Sequence, residues 1–133
     1  MMPNEIIHNL RNYFYVMAGA AFGGLLRYLV ADFVQRNAKI IFPFGTLSVN
    51  IIGSFLLGLI IFFLGEREII SVQMRLFLTV GVCGGFTTFS TFSYETLMLL
   101  QEAEFLYASI NIILNVVLSL TAIYIAYLLS KIL

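Results

Sequence analysis

Charged residues are scarce in this sequence, and cysteine and histidine each occur once. Seven Lys and Arg residues balance seven Asp and Glu residues, and all four types together make up 11% of the 133 residues. Zero net charge gives no electrostatic attraction to nucleic acid, so we expect no nucleic-acid partner. The single cysteine, Cys83, excludes an internal disulfide and a multi-cysteine metal site, and His8 has no other metal-ligand residues clustered around it.

Two further absences narrow the function. The chain contains no P-loop, which argues against ATP-driven transport. No nucleophile–base pair occurs within its apolar segments, so we expect that the protein is not an enzyme. Tryptophan is also missing, and this counts against a multidrug transporter that encloses its cargo in an aromatic cage.

Long apolar stretches are abundant. Hydrophobic residues make up 61% of the chain and the mean hydropathy is +1.00, whereas crossing a bilayer requires about 20 consecutive apolar residues. The sequence predicts an all-α membrane protein that forms one domain, residues 1–133, in the inner (plasma) membrane. Its four predicted transmembrane helices cover about 13–33, 44–64, 72–100 and 105–129.

The distribution of basic residues leaves the orientation open. With four spans both termini lie on one side of the membrane, together with three or four basic residues, against two on the other side: Arg11, Arg67, Lys131 and Arg75, against Arg36 and Lys39. Cytoplasmic loops normally carry a clear excess of Lys and Arg. So small a bias is compatible with a fixed topology, and also with a dual topology in which oppositely inserted copies pair.

Polar residues recur every four positions in the second and fourth spans, which places each set on one helix face. The two sets are Thr46, Asn50, Ser54 and Gly58, and Tyr107, Asn111, Asn115 and Ser119. Such stripes are consistent with a hydrated path between the helices. They are equally consistent with hydrogen bonds that hold membrane helices together, and the pattern does not distinguish the two uses.

The first span combines a small-residue face with a charge. Gly19 and Gly23 are spaced for close helix packing. Arg27 follows one turn later, well inside the apolar segment, where an arginine must pair, reach the interface or face water. Either Arg27 extends to the membrane surface, or it lines a vestibule and raises the local anion concentration.

The third span is predicted to be broken. We expect a helix from Val72, with Ser71 as its N-cap, to about Cys83, then an unwound segment near Gly84–Thr88 and a second half-helix to Leu100. Unwound backbone at membrane depth exposes carbonyl groups that suit a hard cation. The alternative is a simple glycine kink whose backbone is satisfied by nearby hydroxyl groups.

Two phenylalanines follow the break at a spacing of three residues. Phe89 and Phe92 share one helix face, and such a pair is commonly a packing feature. However, the edge of an aromatic ring is electropositive, so rings presented edge-on can solvate an anion weakly. Ser90, Thr91 and Asn50 could donate hydrogen bonds beside them, and weak binding of this kind suits a conduction path.

These residues resemble the signature of the Fluc (CrcB) fluoride channel family. The third-span sequence GGFTTFSTFS, residues 84–93, followed by Glu95, carries the resemblance. Supporting matches are GGLLRY, residues 23–28, and FGTLSVN, residues 44–50. The similarity covers the whole chain and all four predicted spans.

The resemblance implies an antiparallel dual-topology homodimer with two fluoride pores and one structural Na⁺ at its centre. By position, the pore residues match Phe89, Phe92, Asn50, Ser90, Thr91 and Thr46, and Asn111, Asn115 and Ser119 extend the pore from their i+4 register in the fourth span. Arg27 and Glu95 match vestibule positions. The backbone carbonyls of Gly84 and Thr87 match the Na⁺ ligands.

The implied function is passive export of fluoride from the cytoplasm. Two transporter alternatives remain. A small proton-coupled multidrug antiporter needs a titratable carboxylate deep in its first span, where this chain has only Asp32 near the end. A fluoride–proton antiporter would depend on Glu95, which is the only acidic residue near the predicted path.

Overall fold

The computed structural model describes the chain from Asn4 to Leu133, and this part is helical throughout apart from its connections. We number five helices. They are α1 (Asn4–Ala38), α2 (Phe44–Gly65), α3 (residues 72–86), α4 (Phe89–Gln101) and α5 (Phe105–Ile132). Within them, Leu59–Gly65 at the end of α2 and Phe77–Cys83 in the middle of α3 are π-helical.

Between Asn4 and Leu133, four helical segments are long and apolar enough to cross a membrane, which confirms the predicted four spans. They are α1, α2, the α3–α4 unit and α5, and the fourth begins at Phe105 as predicted. Helix α1 is longer than the predicted range 13–33, since it starts at Asn4 and ends at Ala38. Ile6, Ile7 and Leu10 recur at helical spacing among polar residues, so the helix continues through a segment too polar to be recognised by hydropathy.

Helix α1 packs against α3 through glycines on both helices. A Cβ atom added to Gly19 would overlap the Phe77 carbonyl oxygen and lie 2.9 Å from the Gly81 Cα atom. A Cβ atom on Gly23 would overlap the Val82 carbonyl group. The predicted small-residue face of the first span is therefore a packing face, and its partner is the first half of the third span.

Helices α2 and α5 form the other close pair. Gly58 lies against Ala126, where an added Cβ atom would be 2.7 Å from the alanine methyl group. Val49 and Ala126 are completely buried and Ala108 nearly so. Because these side chains are small or β-branched, the two helices approach closely enough for longer polar side chains between them to reach each other.

The break in the third span is narrower than predicted. Ser71 caps α3 as expected, since its hydroxyl accepts a hydrogen bond from the Met74 amide at 3.2 Å. The helix then continues to Phe86, so the predicted end at Cys83 and the predicted unwinding of Gly84 and Gly85 are wrong. Only Thr87 and Thr88 have extended backbone, with ψ angles of 159° and 118°.

Close packing against α1 accounts for the glycine at position 85 within the helix. A Cβ atom on Gly85 would lie 2.6 Å from the Ala20 carbonyl oxygen and 3.0 Å from the Gly24 amide nitrogen. Gly85 therefore allows α3 to contact α1, and the chain leaves the helix only after this contact ends. The turn that follows is stabilised by Thr88, whose hydroxyl accepts from the Thr91 amide at 3.1 Å and caps α4.

Candidate ion pathway

Asn50 of α2 holds the broken segment with both ends of its side chain. Its amide nitrogen Nδ2 donates to the Thr88 carbonyl oxygen at 3.1 Å, and its Oδ1 accepts from the Thr88 amide at 2.8 Å. The bond from the Thr88 amide replaces the helical partner that this amide loses where α3 stops, and the bond to the Thr88 carbonyl holds the start of α4. The polar stripe of α2 and the break of the third span therefore meet at one residue pair.

A chain of side-chain amides extends from Asn50 into the protein. Asn50 Nδ2 also donates to Asn115 Oδ1 at 2.8 Å, and Asn115 Nδ2 donates to Asn111 Oδ1 at 2.8 Å. Asn111 Nδ2 then donates to the Thr96 hydroxyl at 2.9 Å, and that hydroxyl donates to the Phe92 carbonyl at 2.8 Å. Three members of the predicted polar stripes, Asn50, Asn111 and Asn115, thus form one connected network between α2, α4 and α5.

The structure brings most of the predicted pore residues together around one cleft. This cleft has a volume of about 390 Å³ and lies between α2, α5 and the broken segment. Of the predicted residues, its walls include Asn50, Phe89, Phe92, Asn115 and Ser119. Asn111 does not line it, because its side chain is completely buried behind Asn115 in the amide chain.

Phe89 and Phe92 differ in their surroundings although they share a helix face. Their ring centroids are 5.3 Å apart and the ring planes are inclined by 58°. Phe89 is 77% exposed, whereas Phe92 is 7% exposed. One ring of the pair is therefore held by the fold of a single chain, while the other projects from its surface.

A second cleft of about 290 Å³ lies on the other side of Thr88. It is lined by Arg27, Thr46 and Thr91 among others, and Thr88 lines both clefts. The Thr46 hydroxyl donates to Glu95 Oε1 at 2.8 Å. Arg27, Thr46 and Thr91, which the sequence predicted along one path, therefore share a wall, and Glu95 is bonded to it.

Thr88 is the residue of this region that sequence reasoning missed. Its hydroxyl donates to the Thr91 hydroxyl at 3.0 Å and lies 3.3 Å from the Ser90 hydroxyl. It therefore connects both predicted hydroxyl donors to the wall between the clefts. The signal that could have found it is its position just before the second half-helix, where a threonine is a favoured N-cap.

Arg27 contacts the broken segment directly. Its Nη1 donates to the Thr87 carbonyl oxygen at 3.2 Å, and Asp32 forms its ion pair one turn further on with Arg36, at 2.9 Å. The guanidinium is thus bound to a backbone group at the break, and it also lines the second cleft. This arrangement places a positive charge beside one of the two carbonyls predicted as Na⁺ ligands.

The other predicted carbonyl, that of Gly84, is also altered by the break. In a continuous helix it would accept from the Thr88 amide, but that amide donates to Asn50 instead. The Thr87 carbonyl has two lone pairs, of which Arg27 uses one. The carbonyl oxygens of Gly84 and Thr87 therefore both keep accepting capacity. Carbonyl oxygens are the hard ligands that Na⁺ and other hard cations select, so their chemistry fits the predicted ion.

Comparison with known proteins gives a consistent result. The family model described as "CrcB-like protein, Camphor Resistance (CrcB)" matches residues 14–127. A protein of Shewanella amazonensis named "Fluoride-specific ion channel FluC" is 45% identical over 115 residues, which cover 86% of this chain and 92% of the relative. Proteins of the same name from Shewanella baltica and Shewanella sp. (strain ANA-3) are 44% identical over the same lengths. With a match of this extent around a broken third span, the chain is a multi-pass membrane protein that belongs to the CrcB family.

Proposed function

We propose that this chain forms a fluoride-selective channel that lets fluoride leave the cytoplasm passively across the plasma membrane. The observation that carries the proposal is the 390 Å³ cleft at the broken segment, where the Phe89–Phe92 pair, Asn50 and Ser119 face one space. Relatives that share 45% or 44% of their residues with this chain are named as fluoride-specific ion channels.

The chemistry of the cleft suits a small anion that must pass through. None of the described residues that line it carries a charge, so these walls hold no fixed cation that would trap the ion. Ring edges and hydroxyl groups replace part of the water shell through weak, repeated contacts. Arg27, at the neighbouring cleft, supplies positive potential beside this path.

The driving force comes from the membrane potential. Moving one negative charge out of a cell with a negative interior gains about 2.3 kcal/mol per 100 mV. A passive pore therefore suffices for export, and nothing in the proposed mechanism requires nucleotide hydrolysis or a bound proton.

Liposome efflux tests the channel function. Purified protein in K⁺- and fluoride-loaded liposomes is expected to release fluoride rapidly when valinomycin carries the compensating K⁺, and to release little chloride. Release no faster than from empty liposomes would contradict the proposal. Release that depends on valinomycin but also carries protons into the liposomes would instead indicate fluoride–proton antiport, because exchange of F⁻ for H⁺ moves net charge, with Glu95 as the residue to replace next.

The working unit is proposed to be an antiparallel homodimer with two pores. Polar side chains at membrane depth are costly in lipid, yet Ser90, Thr91 and Ser93 are exposed on α4 beside the 77% exposed Phe89. A second copy would cover this face. The small difference in basic residues between the two sides of the membrane is compatible with insertion in both orientations.

One Na⁺ is proposed at the centre of this dimer, held by the carbonyls of Gly84 and Thr87 from each copy. The support is the diversion of the Thr88 amide to Asn50, together with the exposure of Gly84 on the surface of the chain. Such an ion would neutralise converging carbonyl dipoles and join the two broken segments.

Charge variants test the antiparallel dimer. Arg36→Gln with Lys39→Gln removes the basic residues from one side and should force a single orientation. Alone, this variant is expected to yield monomers in native mass spectrometry. Co-expression with the opposite variant, Arg11→Gln with Arg67→Gln and Lys131→Gln, should restore a dimer of twice the 15.0 kDa chain that retains one Na⁺. Homodimers of the first variant with wild-type efflux would contradict the antiparallel arrangement.

A further inference from the structure

The direction of the asparagine chain is fixed by backbone groups. Asn50 must place Nδ2 against the Thr88 carbonyl and Oδ1 against the Thr88 amide, because a carbonyl only accepts and an amide N–H only donates. Asn115 Nδ2 donates to the Asn111 backbone carbonyl at 3.0 Å, which fixes that side chain in the same way. Flipping either amide would bring two donors or two acceptors together.

With the side chains in this orientation, every amide N–H group of Asn50 and Asn115 already has a hydrogen-bond acceptor. One N–H of Asn50 is used by the Thr88 carbonyl and the other by Asn115 Oδ1. Both N–H groups of Asn115 are used by Asn111, through its backbone and side-chain oxygens. An anion in the cleft therefore meets no uncommitted amide N–H on either residue, and it must displace an acceptor to gain one.

We infer that the Asn115 side-chain oxygen is the acceptor that fluoride displaces from Asn50. This inference rests on the proposed channel function. The Thr88 carbonyl belongs to the backbone of the break and cannot move away independently, whereas Asn115 Oδ1 lies on a side chain that lines the same cleft as Asn50. Fluoride takes the N–H of Asn50, and Asn115 takes it back when the ion leaves.

The exchange gives Asn115 a defined effect on affinity. An N–H that is left without a partner in a buried site binds an anion strongly, because it has no bond to lose. With Asn115 as a substitute acceptor, the gain on fluoride binding is only the difference between a charged and a neutral hydrogen bond. Ser119, one turn along α5 in the same cleft, carries a hydroxyl that can donate to the released Asn115 oxygen.

Asn111 orients Asn115 and is not itself part of the cleft wall. Its side chain is 0% exposed, does not line the cleft, and accepts from Asn115 while donating to Thr96. It is a positioning residue that keeps the Asn115 amide turned so that the oxygen, and not the nitrogen, faces Asn50. Thr96 fixes Asn111 in turn, since the threonine hydroxyl donates to the Phe92 carbonyl.

The concentration dependence of fluoride current in planar bilayers tests the exchange. Asn115→Leu removes the substitute acceptor, so the half-saturating fluoride concentration is expected to fall about tenfold and the maximal current to fall with it. Asn115→Asp holds Asn50 with a charged oxygen and repels the anion, and it should abolish current. The matched control is Ser130→Ala, which removes another hydrogen bond of a buried α5 residue, from the Ser130 hydroxyl to the Tyr127 carbonyl, and lines neither cleft, so it should not shift half-saturation.

A second measurement needs no variant. In wild-type protein carrying ¹⁵N-labelled asparagine, fluoride should shift the side-chain amide signals of Asn50 and Asn115 and leave those of Asn111 in place, whereas chloride should shift none. Unchanged half-saturation in Asn115→Leu, an equal shift in Ser130→Ala, or an Asn50 signal that does not respond to fluoride would overturn the exchange. Wild-type protein that conducts no fluoride would overturn the channel function itself, and the exchange with it.

Discussion

Replacement of Phe89 and Phe92 together by isoleucine is expected to reduce fluoride efflux to the rate of empty liposomes. Isoleucine is apolar and branched but lacks the electropositive ring edge that the proposed mechanism places against the anion. The two rings are adjacent, with centroids 5.3 Å apart, and both line the 390 Å³ cleft. Among the residues that the structure describes, no other aromatic side chain lines that cleft, so no ring remains there to replace them.

The structural cost of this change is small enough to separate from its effect on transport. Phe89 is largely exposed, so its replacement removes little packing within the chain. Phe92 is 7% exposed, and isoleucine there should cost about 1–2 kcal/mol through the space left behind. Size-exclusion chromatography of the purified variant should therefore give the wild-type elution volume.

Phe86→Ile is the matched control for this experiment. Phe86 lies three residues before Phe89, is as buried as Phe92, and lines neither cleft. The control should lose comparable packing energy and keep its fluoride efflux. Efflux that persists in the double variant, or that is lost equally in Phe86→Ile, would show that the ring edges do not conduct the ion.

Local sequence signals predict most of the helix starts in this protein. They fail where a helix extends through a segment whose apolar residues lie on one face only. Apolar stretches and the Ser71 cap placed the second, third and fourth spans close to their observed starts. The start of α1 at Asn4 was missed because Ile6, Ile7 and Leu10 are diluted by polar neighbours, and mean hydropathy does not detect a one-sided apolar face.

The position of the break in the third span could not be predicted from the sequence of that segment alone. A glycine pair within a helix has an unfavourable propensity, so Gly84 and Gly85 were expected to unwind. In the structure Gly85 stays helical because α1 approaches too closely for any side chain. Which of the two roles a glycine plays depends on a neighbouring helix, and no pattern within the segment itself contains that information.

The residues of the ion pathway were likewise predicted in part from local spacing, while the rest depends on helix packing. Residue types and their i+4 spacing brought Asn50, Asn115 and Ser119 onto candidate faces, and the structure places all three around one cleft. Spacing could not separate Asn115, which lines the cleft, from the fully buried Asn111 one turn away. That difference depends on the register of α5 against α2 and α4, which is set by contacts such as Gly58 against Ala126.

The largest expected effect on folding is that of Gly23→Ala. The added methyl group would overlap the Val82 carbonyl group, with its carbonyl carbon 2.9 Å from the new Cβ atom. Since the obstacle is backbone in the middle of α3, it cannot rotate away as a side chain could. The helices must separate, which would also weaken the adjacent Gly19–Gly81 and Gly85–Ala20 contacts, so we expect a cost of about 3 kcal/mol or more.

Gly24→Ala is the control, because the next residue along the same helix has no atom within 4 Å of an added Cβ atom. Within one chain, alanine there should be tolerated, and its higher helix propensity should stabilise α1 by up to about 1 kcal/mol. Thermal unfolding in detergent, followed by circular dichroism, should show a large loss of stability for Gly23→Ala and none for Gly24→Ala. Equal stability of the two variants would contradict the packing of α1 on α3. A loss confined to Gly24→Ala would instead place that glycine against a second copy of the chain, as the proposed dimer allows.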